Sequence, residues 1–321
     1  MKTKAKPRFK MASFLILFGV ILFAGVMTAL RWDFMKLSTV KHETNAYEIT
    51  EAFDSISINT DTADITFLLS DDGKCLVECF EEENAKHSVY AKDGALTVER
   101  NDKRTVYDFI GFNFETPGIT VYLPQTEYDS LFIHASTGDI DIPRDFFFNK
   151  ADISVSTGDI DFCASASEQI KMKTSTGDIS AENITAGALE ISVTTGRVTV
   201  SGVKCEGDVT IGVTTGKAFL TDVACNSVIS RGSTGNITLK NVVANDSFSI
   251  KRSTGDIRLN GSDAARISIK TSTGDVSGTL LSGKEFIADT STGSINVPDT
   301  ISGGRCEITT STGDIEIEIV S

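Results

Sequence analysis

The stretch Ile153-Ser-Val-Ser-Thr-Gly-Asp-Ile-Asp-Phe162 contains the pattern that decides the fold. Apolar and polar residues alternate on both sides of a Ser-Thr-Gly turn, which is the period-two signature of β-strands. The same Thr-Gly pair recurs ten times at intervals of 19 or 20 residues, always preceded by Ser or Thr. The repeat glycines are Gly138, Gly158, Gly177, Gly196, Gly216, Gly235, Gly255, Gly274, Gly293 and Gly313. We expect these glycines to form a structural ladder of turns in a stacked array.

Two arrangements satisfy this repeat. If each repeat is one coil of a β-solenoid, equivalent residues pair in parallel about 4.8 Å apart. If each Thr-Gly pair is a hairpin tip, the chain forms an antiparallel meander instead. Two-residue hairpin tips favour Asn-Gly, Asp-Gly or a first glycine, none of which occurs at the ten sites. We therefore expect an all-β fold, a parallel β-helix-like solenoid of about ten coils over residues 136–321.

The residue after the repeat glycine is most often aspartate. It is Asp139, Asp159, Asp178, Asp256, Asp275 and Asp314, with Arg197, Lys217, Asn236 and Ser294 at the other four turns. Stacked carboxylates repel each other, so either cations bridge them or their oxygens accept backbone N–H groups as in Asx turns. The turn explanation is the simpler one, because the nonapeptide of calcium-binding β-rolls is absent. Loose calcium binding at Asp139, Asp159 and Asp178 remains a hypothesis.

An uncharged stretch of 20 residues runs from Met11 to Leu30. A helix of that length spans about 30 Å, the thickness of the hydrocarbon core of a bilayer. A cleaved signal peptide is the alternative, although Met27-Thr-Ala29 fits a cleavage site poorly. Basic residues precede the stretch, so its N-terminus is expected in the cytoplasm. We predict a cytoplasmic tail over 1–11, a transmembrane signal anchor over 12–30 and an extracytoplasmic polar stalk over 31–50.

The charge balance limits the possible partners. The chain carries 30 basic and 44 acidic residues and a net charge of −14; since the first eleven residues hold +5, the remainder carries −19. Such a surface repels DNA and RNA, so we expect no nucleic-acid partner. The same charge allows an alternative role as an acidic scaffold that captures calcium or cationic peptides.

Residues 51–135 lack the period of the repeats but contain strand-like runs, among them Ser55–Ile58 and Gly118–Leu123. A solenoid needs an atypical terminal unit to cover its open end, so we expect this irregular β region to cap it. At the other end, Glu316 and Glu318 in the last strand are expected to discourage edge-to-edge pairing.

Three features together resemble a known family. They are Phe53-Asp-Ser-Ile-Ser-Ile58, Gly118-Ile-Thr-Val-Tyr-Leu-Pro124 and the serial Ser-Thr-Gly-Asp-Ile turns. The chain from residue 51 to 321 is similar to the putative-adhesin or β-strand-repeat proteins of the bacterial envelope, which include LiaG-like proteins. The resemblance implies a single-pass protein with its β-helix-like domain outside a bacterial cell membrane. It also implies an adhesin-like or envelope-stress-associated role with an envelope or membrane protein as partner, and it supplies no catalytic residues.

Residue types typical of catalytic sites are sparse. The histidines His42, His87 and His134 are far apart, and no zinc-hydrolase, serine-hydrolase or phosphate-loop motif occurs. We interpret the three histidines as solvated surface residues and predict no enzyme activity and no cofactor. The alternative is a polysaccharide-active β-helix enzyme, which would need clustered acids in a cleft. Such enzymes often add aromatic sugar platforms, and the repeats contain no Trp or Tyr.

The chain has six cysteines and no Cys-x-x-Cys motif. They are Cys75, Cys79, Cys163, Cys205, Cys225 and Cys306. Disulfides are permitted outside the cytoplasm, and the candidate pairs are Cys75 with Cys79 and Cys205 with Cys225. Stacking at the same phase places the latter Cα atoms about 5 Å apart with parallel side chains, which disfavours a disulfide. We therefore interpret Cys205, Cys225 and Cys306 as buried small apolar residues.

Overall fold

The computed structural model describes residues 7–33, 40–102, 115–300 and 302–320. These residues contain one helix and 22 strands, and about 70% of the chain is strand. The helix α1 spans Pro7–Ala29. The strands are β1 (His42–Ile49), β2 (Ser55–Thr62), β3 (Asp64–Leu69), β4 (Cys75–Glu82), β5 (Ala85–Lys92), β6 (Ala95–Asp102), β7 (Gly118–Leu123), β8 (Glu127–Thr137), β9 (Ile140–Ile142), β10 (Phe147–Thr157), β11 (Ile160–Phe162), β12 (Ser165–Thr176), β13 (Ile179–Glu182), β14 (Thr185–Cys205), β15 (Val209–Thr234), β16 (Ile237–Lys251), β17 (Ile257–Lys270), β18 (Val276–Leu280), β19 (Lys284–Thr292), β20 (Ile295–Asn296), β21 (Gly304–Thr312) and β22 (Ile315–Ile319).

The repeats stack as a parallel β-solenoid of about nine turns, which confirms the predicted fold class. β8 pairs in parallel with β10, so that Ile133 lies beside Ile153. After the turn, β9 pairs in parallel with β11, so that Ile140 lies beside Ile160. The hairpin meander is wrong, because equivalent residues of successive repeats are direct neighbours across the sheet.

The core is the interior of this coil stack. The residue two places after each repeat glycine points inward, and Ile160, Val198 and Ile237 are fully buried there. Side chains of similar shape stack directly on one another because the strands are parallel and in register. The alternation of inward apolar and outward polar residues therefore produces one continuous hydrophobic core.

The chain does not stack in sequence order at its N-terminal end. β2 and β3 form a regular coil that pairs in parallel with β8 and β9. β6 and β7 lie on the opposite side of that coil, again in parallel. β4 and β5 run antiparallel to this layer, β4 pairing with β7 and β5 with β6, and β1 pairs with β4 beyond it. The region 51–135 thus supplies two regular coils in addition to strands that cover the end.

The expected stalk over residues 31–50 is shorter in the structure. Residues 42–49 form β1, whose eight residues pair with β4. Tyr47 and Ile49 of this strand pack against the core, which explains why a polar-looking segment joins the sheet. Residues 34–39 of the stalk and 1–6 of the tail lie outside the described residues.

The C-terminal end also departs from sequence order. β21 pairs with both β17 and β19, and β22 pairs with both β18 and β20. The last layer of the stack is therefore β19–β20, although β21 and β22 follow it in the chain. Among the described residues β20 covers β22 only at Ile315 and Glu316, so the expected edge role is wrong for Glu316, whereas that of Glu318 stays a prediction.

Within α1, residues Ala12–Ala29 are long and apolar enough to cross a membrane, judged by length and composition. Large apolar side chains project outward around this helix, with Phe14 67% exposed and Ile16 68% exposed. A helix that is apolar all round and not buried in protein is typical of a membrane segment.

Candidate functional site

The ten repeat glycines form one column along the solenoid. Their φ angles are all positive, from +121° at Gly235 to +150° at Gly196, a region that residues with side chains rarely adopt. A Cβ atom on Gly158 would lie 2.0 Å from the carbonyl oxygen of Gly138, and comparable contacts recur along the column. Glycine is therefore required for adjacent coils to approach each other at the turn.

The aspartates beside this column form a ladder of hydrogen bonds. The backbone N–H of Asp159 donates to Oδ1 of Asp139 at 2.8 Å, and that of Asp178 donates to Oδ1 of Asp159 at 2.7 Å. The ladder begins at Asp64, whose Oδ1 accepts from Asp139, and continues through Arg197, which donates to Asp178. Each carboxylate thus satisfies a backbone donor of the next coil, as the turn explanation predicts.

Arg197 and Lys217 interrupt the ladder, because their side chains have no acceptor, and it resumes at Asn236. Oδ1 of Asn236 accepts from the backbone N–H of Asp256 at 3.0 Å, so a neutral amide performs the same role. At the far end, Ser294 donates its backbone N–H and its hydroxyl to Asp314. These two hydrogen bonds, the backbone one first, hold the pKa of Asp314 below its usual value.

The calcium prediction at Asp139, Asp159 and Asp178 has to be weighed against this geometry. One oxygen of each carboxylate already accepts a backbone hydrogen bond. An ion would have to use the second oxygen of each carboxylate, and that of Asp178 lies 3.8 Å from the guanidinium of Arg197. Calcium binding at these three residues therefore stays a prediction.

A buried network of polar side chains lies beneath the N-terminal cap. Nδ1 of His87 is 2.7 Å from Oε2 of Glu81, and Nε2 of His87 is 2.8 Å from Oγ1 of Thr60. Glu81 also accepts hydrogen bonds from the backbone N–H of His87 and from Nδ2 of Asn45. Glu81, His87 and Thr60 are at most 5% exposed. The interpretation of His87 as a surface residue is therefore wrong.

The other two histidines differ from each other. The His42 side chain is 3% exposed; Nδ1 lies 3.0 Å from a carboxylate oxygen of Glu115, and its ring stacks on Phe80. The surface interpretation is wrong for His42 as well. His134 is exposed on β8, as predicted. Both buried histidines belong to the N-terminal cap, where the sequence lacks the repeat that would have indicated which side chains point inward.

Electrostatics in the buried network favour an ionised Glu81. Burial alone raises the pKa of this carboxyl, because the charged form loses water. The hydrogen bonds from His87 and Asn45 outweigh burial and hold the pKa of Glu81 below its usual value. A buried carboxylate with three hydrogen-bond contacts is compatible with a stable core because it is not left without partners.

Cys79 lies beside Glu81 and His87 and adds a third type of metal-ligating atom to this network. Its Sγ, a carboxylate oxygen of Glu81 and a ring nitrogen of His87 lie within 4.8 Å of one another, and these are atoms that bind zinc. Two ligands of a tetrahedral zinc ion lie roughly 3.3 Å apart, whereas Nδ1 and Oε2 are in direct hydrogen-bond contact. Burial also raises the pKa of Cys79 to about 12. The arrangement of Cys79, Glu81 and His87 therefore fits a hydrogen-bonded core network better than a preformed metal site.

The six cysteines are all free thiols. Cys75 and Cys79 lie four residues apart on one strand, or about 13 Å, so a disulfide between them is excluded without unfolding β4. Cys205 and Cys225 lie in adjacent coils and are buried, as is Cys306, in agreement with their interpretation as small apolar residues. Burial raises the pKa of Cys225 and Cys306 to about 12, so both remain protonated at neutral pH.

Several exposed apolar side chains lie at the C-terminal end of the solenoid, among them Leu281, Ile287 and Ile295. In the described part of the chain, β19 pairs along its length with one strand only, β21. Phe286 and Ala288 point inward on β19 but are only half-buried, whereas the residues beside them on β21, Cys306 and Ile308, are fully buried. Ile287 on the outer face of β19 is 44% exposed. The final layer thus presents an open strand edge and an uncovered end of the core.

Two overlapping parts of the chain, residues 53–217 and 206–321, match the family model described as Toastrack DUF4097. Together these matches cover most of the chain. The chain belongs to the Toastrack DUF4097 family. The family match begins at residue 53, next to β2, where the first regular coil of the solenoid begins.

Solved structures similar to this Toastrack solenoid come from species of Parabacteroides, Bacteroides and Clostridium. A "putative lipid binding protein" of Parabacteroides distasonis is 14% identical with a TM-score of 0.47, and the alignment covers 88% of this chain and 98% of that one. A "putative adhesin" of Bacteroides fragilis is 16% identical with a TM-score of 0.43, covering 87% and 97%. Another from Parabacteroides merdae is 15% identical with a TM-score of 0.47, covering 75% and 97%. Curated proteins include no match to the chain.

Sequence reasoning missed the buried network and the open end of this Toastrack solenoid. Every second residue of β4 points inward, and Glu81 follows Cys75, Val77 and Cys79 in this alternation. The alternation could have indicated that Glu81 is buried. The open end had no comparable signal, because the repeat pattern of β19 is the same as that of an internal coil. Only the pairing of β21 between β17 and β19 places β19 at the end.

Proposed function

We propose that this Toastrack protein is a non-catalytic interaction module that α1 holds at a bacterial cell membrane. In this proposal the basic tail lies in the cytoplasm and the solenoid lies outside. The single observation that supports it best is the use of the turn carboxylates as acceptors for backbone N–H groups. Carboxylates that already accept backbone hydrogen bonds from the next coil are not available as a general acid and a general base. The regular surface of the solenoid is therefore suited to binding.

The resemblance to adhesin-like and LiaG-like proteins gives two forms of this role. The solenoid either contacts the wall or other cells, or it serves an envelope-stress system through a membrane partner. Orientation in both forms rests on the positive-inside rule applied to the five basic residues of the first eleven.

Proximity labelling in intact cells tests the proposal. A labelling enzyme is fused after Ser321 in one strain and before Met1 in a matched strain, and biotinylated neighbours are identified by mass spectrometry. We expect a membrane-impermeant reagent to reach only the C-terminal fusion. A specific membrane protein among its neighbours supports the envelope-system form, and wall or cell-surface material supports the adhesin form. Labelling of cytoplasmic proteins by the C-terminal fusion would overturn the proposed topology and with it the function.

A further inference from the structure

We infer that the open edge of β19 binds an extended segment of another protein in which cationic residues alternate with apolar ones. The inference rests on the proposed function and identifies the surface and the chemistry of the partner. An added strand pairs with the free backbone groups of an edge strand, while pockets and charges beside the edge select its side chains. The end of the solenoid offers all three of these features.

The first feature is an unpaired backbone. β19 uses one edge to pair with β21 from Lys284 to Thr292, and its other edge has no partner strand within the described residues. Natural proteins normally protect such edges with exposed lysines, prolines or a covering element. Lys284, the one lysine of β19, is buried in an ion pair with Asp263 at 2.6 Å. β5 near the opposite end shows the usual protection, because its Lys86 and Lys92 are exposed.

The second feature is the uncovered core. Phe286 and Ala288 point into the solenoid and are only half-buried, so a partner strand whose inward side chains are apolar would complete the last layer. Leu281 and Ile295, both 46% exposed, lie near the ends of the same layer. Burial of apolar area contributes about 25 cal/mol per Å², which gives this layer its affinity for a strand with an apolar face.

The third feature is charge. Residues 281–320 contain seven acidic residues and two basic ones, and the two basic ones, Lys284 and Arg305, already form ion pairs. On the outer face of β19, Glu285 and Asp289 flank Ile287 and are exposed. A partner strand with cations opposite these two carboxylates satisfies the cross-strand preference for opposite charges.

A second copy of the chain fits this edge poorly. Antiparallel pairing of two β19 strands about Ile287 would place Glu285 of one copy opposite Asp289 of the other. Like charges directly opposite each other destabilise a strand pair, and both ends carry the same acidic excess. Charge therefore selects a cationic strand from another protein over self-association.

The position of this edge also suits contact with a partner. β1, the first strand after α1, lies at the other end of the stack, where it pairs with β4. About nine turns separate the two ends, or roughly 40 Å at the spacing of paired strands. The open edge is thus the end of the solenoid most distant from the point where the chain enters it.

Binding of defined peptides to the full chain in phosphatidylcholine nanodiscs tests the inference by fluorescence anisotropy. The probe is a fluorescein-labelled Thr-Lys-Val-Ile-Val-Lys-Thr peptide; one control replaces its lysines with glutamates, and a second carries N-methyl groups on alternate backbone nitrogens. We expect saturable binding of the probe, and at least about tenfold weaker binding of both controls. A probe that does not bind, or that binds no better than the N-methylated control, would overturn strand addition at this edge.

Two matched variants locate the binding site. Ile287→Lys places a charge on the edge, whereas Phe132→Lys changes a residue at the same repeat phase and of equal exposure, 45%, on β8, which has partner strands on both sides. We expect Ile287→Lys to weaken probe binding by about tenfold and Phe132→Lys to leave it unchanged. Equal effects of the two variants would refute the site. The mass of the nanodisc particles then tests for self-association. Two chains per nanodisc that become one in Ile287→Lys would show that a second copy occupies the edge and would overturn the inference. The proximity-labelling test of the proposed function does not depend on this outcome.

Discussion

At the scale of single residues, the fold depends on a few positions where no substitute fits. Gly216 has φ of +146°, and a Cβ atom there would lie 1.7 Å from the carbonyl oxygen of Gly196. Gly212, four residues earlier, has ordinary backbone geometry, and its nearest Cβ contact would be 3.5 Å away. Two glycines of one strand therefore have opposite tolerance for a side chain.

We expect Gly216→Ala to lower the free energy of unfolding by about 3 kcal/mol, because the methyl group meets backbone in a region of φ that alanine avoids. Gly212→Ala is the control and should change it by less than about 1 kcal/mol. Guanidinium unfolding of both full-length variants, followed by circular dichroism, gives the comparison. Equal stability of the two variants would show that the turn column tolerates side chains.

Arg252 is a buried cation that replaces missing core volume. It occupies the inward position taken by Val213 and Gly232 in the two preceding coils, and a Cβ on Gly232 would lie 1.7 Å from its guanidinium. Its guanidinium donates to the carbonyl oxygen of Val213 and to Oγ of Ser230, while Nε has no hydrogen-bond partner among the described residues. Burial lowers the pKa of Arg252.

Because its hydrogen bonds do not include a carboxylate, we expect Arg252→Met to be as stable as the natural chain or more stable. Arg252→Ala should be less stable by about 2–4 kcal/mol, since it leaves the space beside Gly232 empty. Thermal or denaturant unfolding distinguishes the two. A methionine variant clearly less stable than the natural chain would mean that the guanidinium of Arg252 is itself needed.

Glu81 should make stability depend on pH. Its pKa is lowered in the folded chain, so the unfolded chain binds the proton more tightly. Ionised Glu81 therefore stabilises the folded chain fully above the ordinary carboxyl pKa of about 4.5. This stabilisation is lost as the pH falls through the lower pKa that Glu81 has in the folded chain. We expect Glu81→Gln to flatten the loss of stability below about pH 4.5, measured by unfolding at a series of pH values. Glu78→Gln, on the outer face of β4, is the control; an identical pH profile for both variants would contradict the prediction.

At the scale of elements, the aspartate ladder joins neighbouring coils at most of the turns, in addition to the pairing of the strands in the sheet. Asp159 shows this best, because it accepts a backbone N–H from Asp178 and donates its own to Asp139. Asp161, two residues later on β11, points outward beside Asp141. Burial, followed by the neighbouring carboxylates, raises the pKa of Asp161.

We expect Asp159→Ala to cost about 1 kcal/mol of folding free energy, because a backbone donor at the turn loses its acceptor. Asp159→Asn should restore most of this, since an amide oxygen performs the same role at Asn236. Asp161→Ala is the control and should be neutral or stabilising, as it removes like-charge repulsion. Urea unfolding of the three variants decides; an asparagine variant as unstable as the alanine one would show that the charge matters more than the acceptor. Calorimetry with calcium on the same proteins tests the ion hypothesis.

At the scale of the whole molecule, both ends of the solenoid depart from sequence order, and the C-terminal departure has a steric cause. β21 begins with Gly304, where a Cβ atom would lie 1.7 Å from the carbonyl oxygen of Ala265 on β17. Lys284 is the residue of β19 that pairs with Gly304, and a side chain at the place of Gly304 would meet the Ala265 carbonyl, so glycine favours β21 in the layer against β17. The last two strands of the chain therefore fill the layer that β19 and β20 leave open.

We expect a chain that ends at Thr300 to be cleaved rapidly between residues 283 and 300, because β19 and β20 lose their partners β21 and β22. A chain that ends at Ser282 lacks this loose segment and is the control, with slow cleavage throughout the solenoid. Limited proteolysis with mass spectrometry compares both with the full chain. Protection of residues 284–296 in the longer truncation would show that β19 pairs with β17 after all.

The sequence by itself determined the coil, its length and its inward face, because in-register stacking demands the same residue types at the same phase over ten repeats. It also predicted the apolar helix and the turn role of the aspartates, both of which depend on local composition and spacing. Only the tertiary structure decided which strand lies at each end and which polar side chains are buried. Those features depend on contacts between segments far apart in the chain: His87 with Thr60, Gly304 with Ala265, and β22 between β18 and β20. Periodicity does not encode such contacts, because β19 and an internal strand have the same pattern until their neighbours are known.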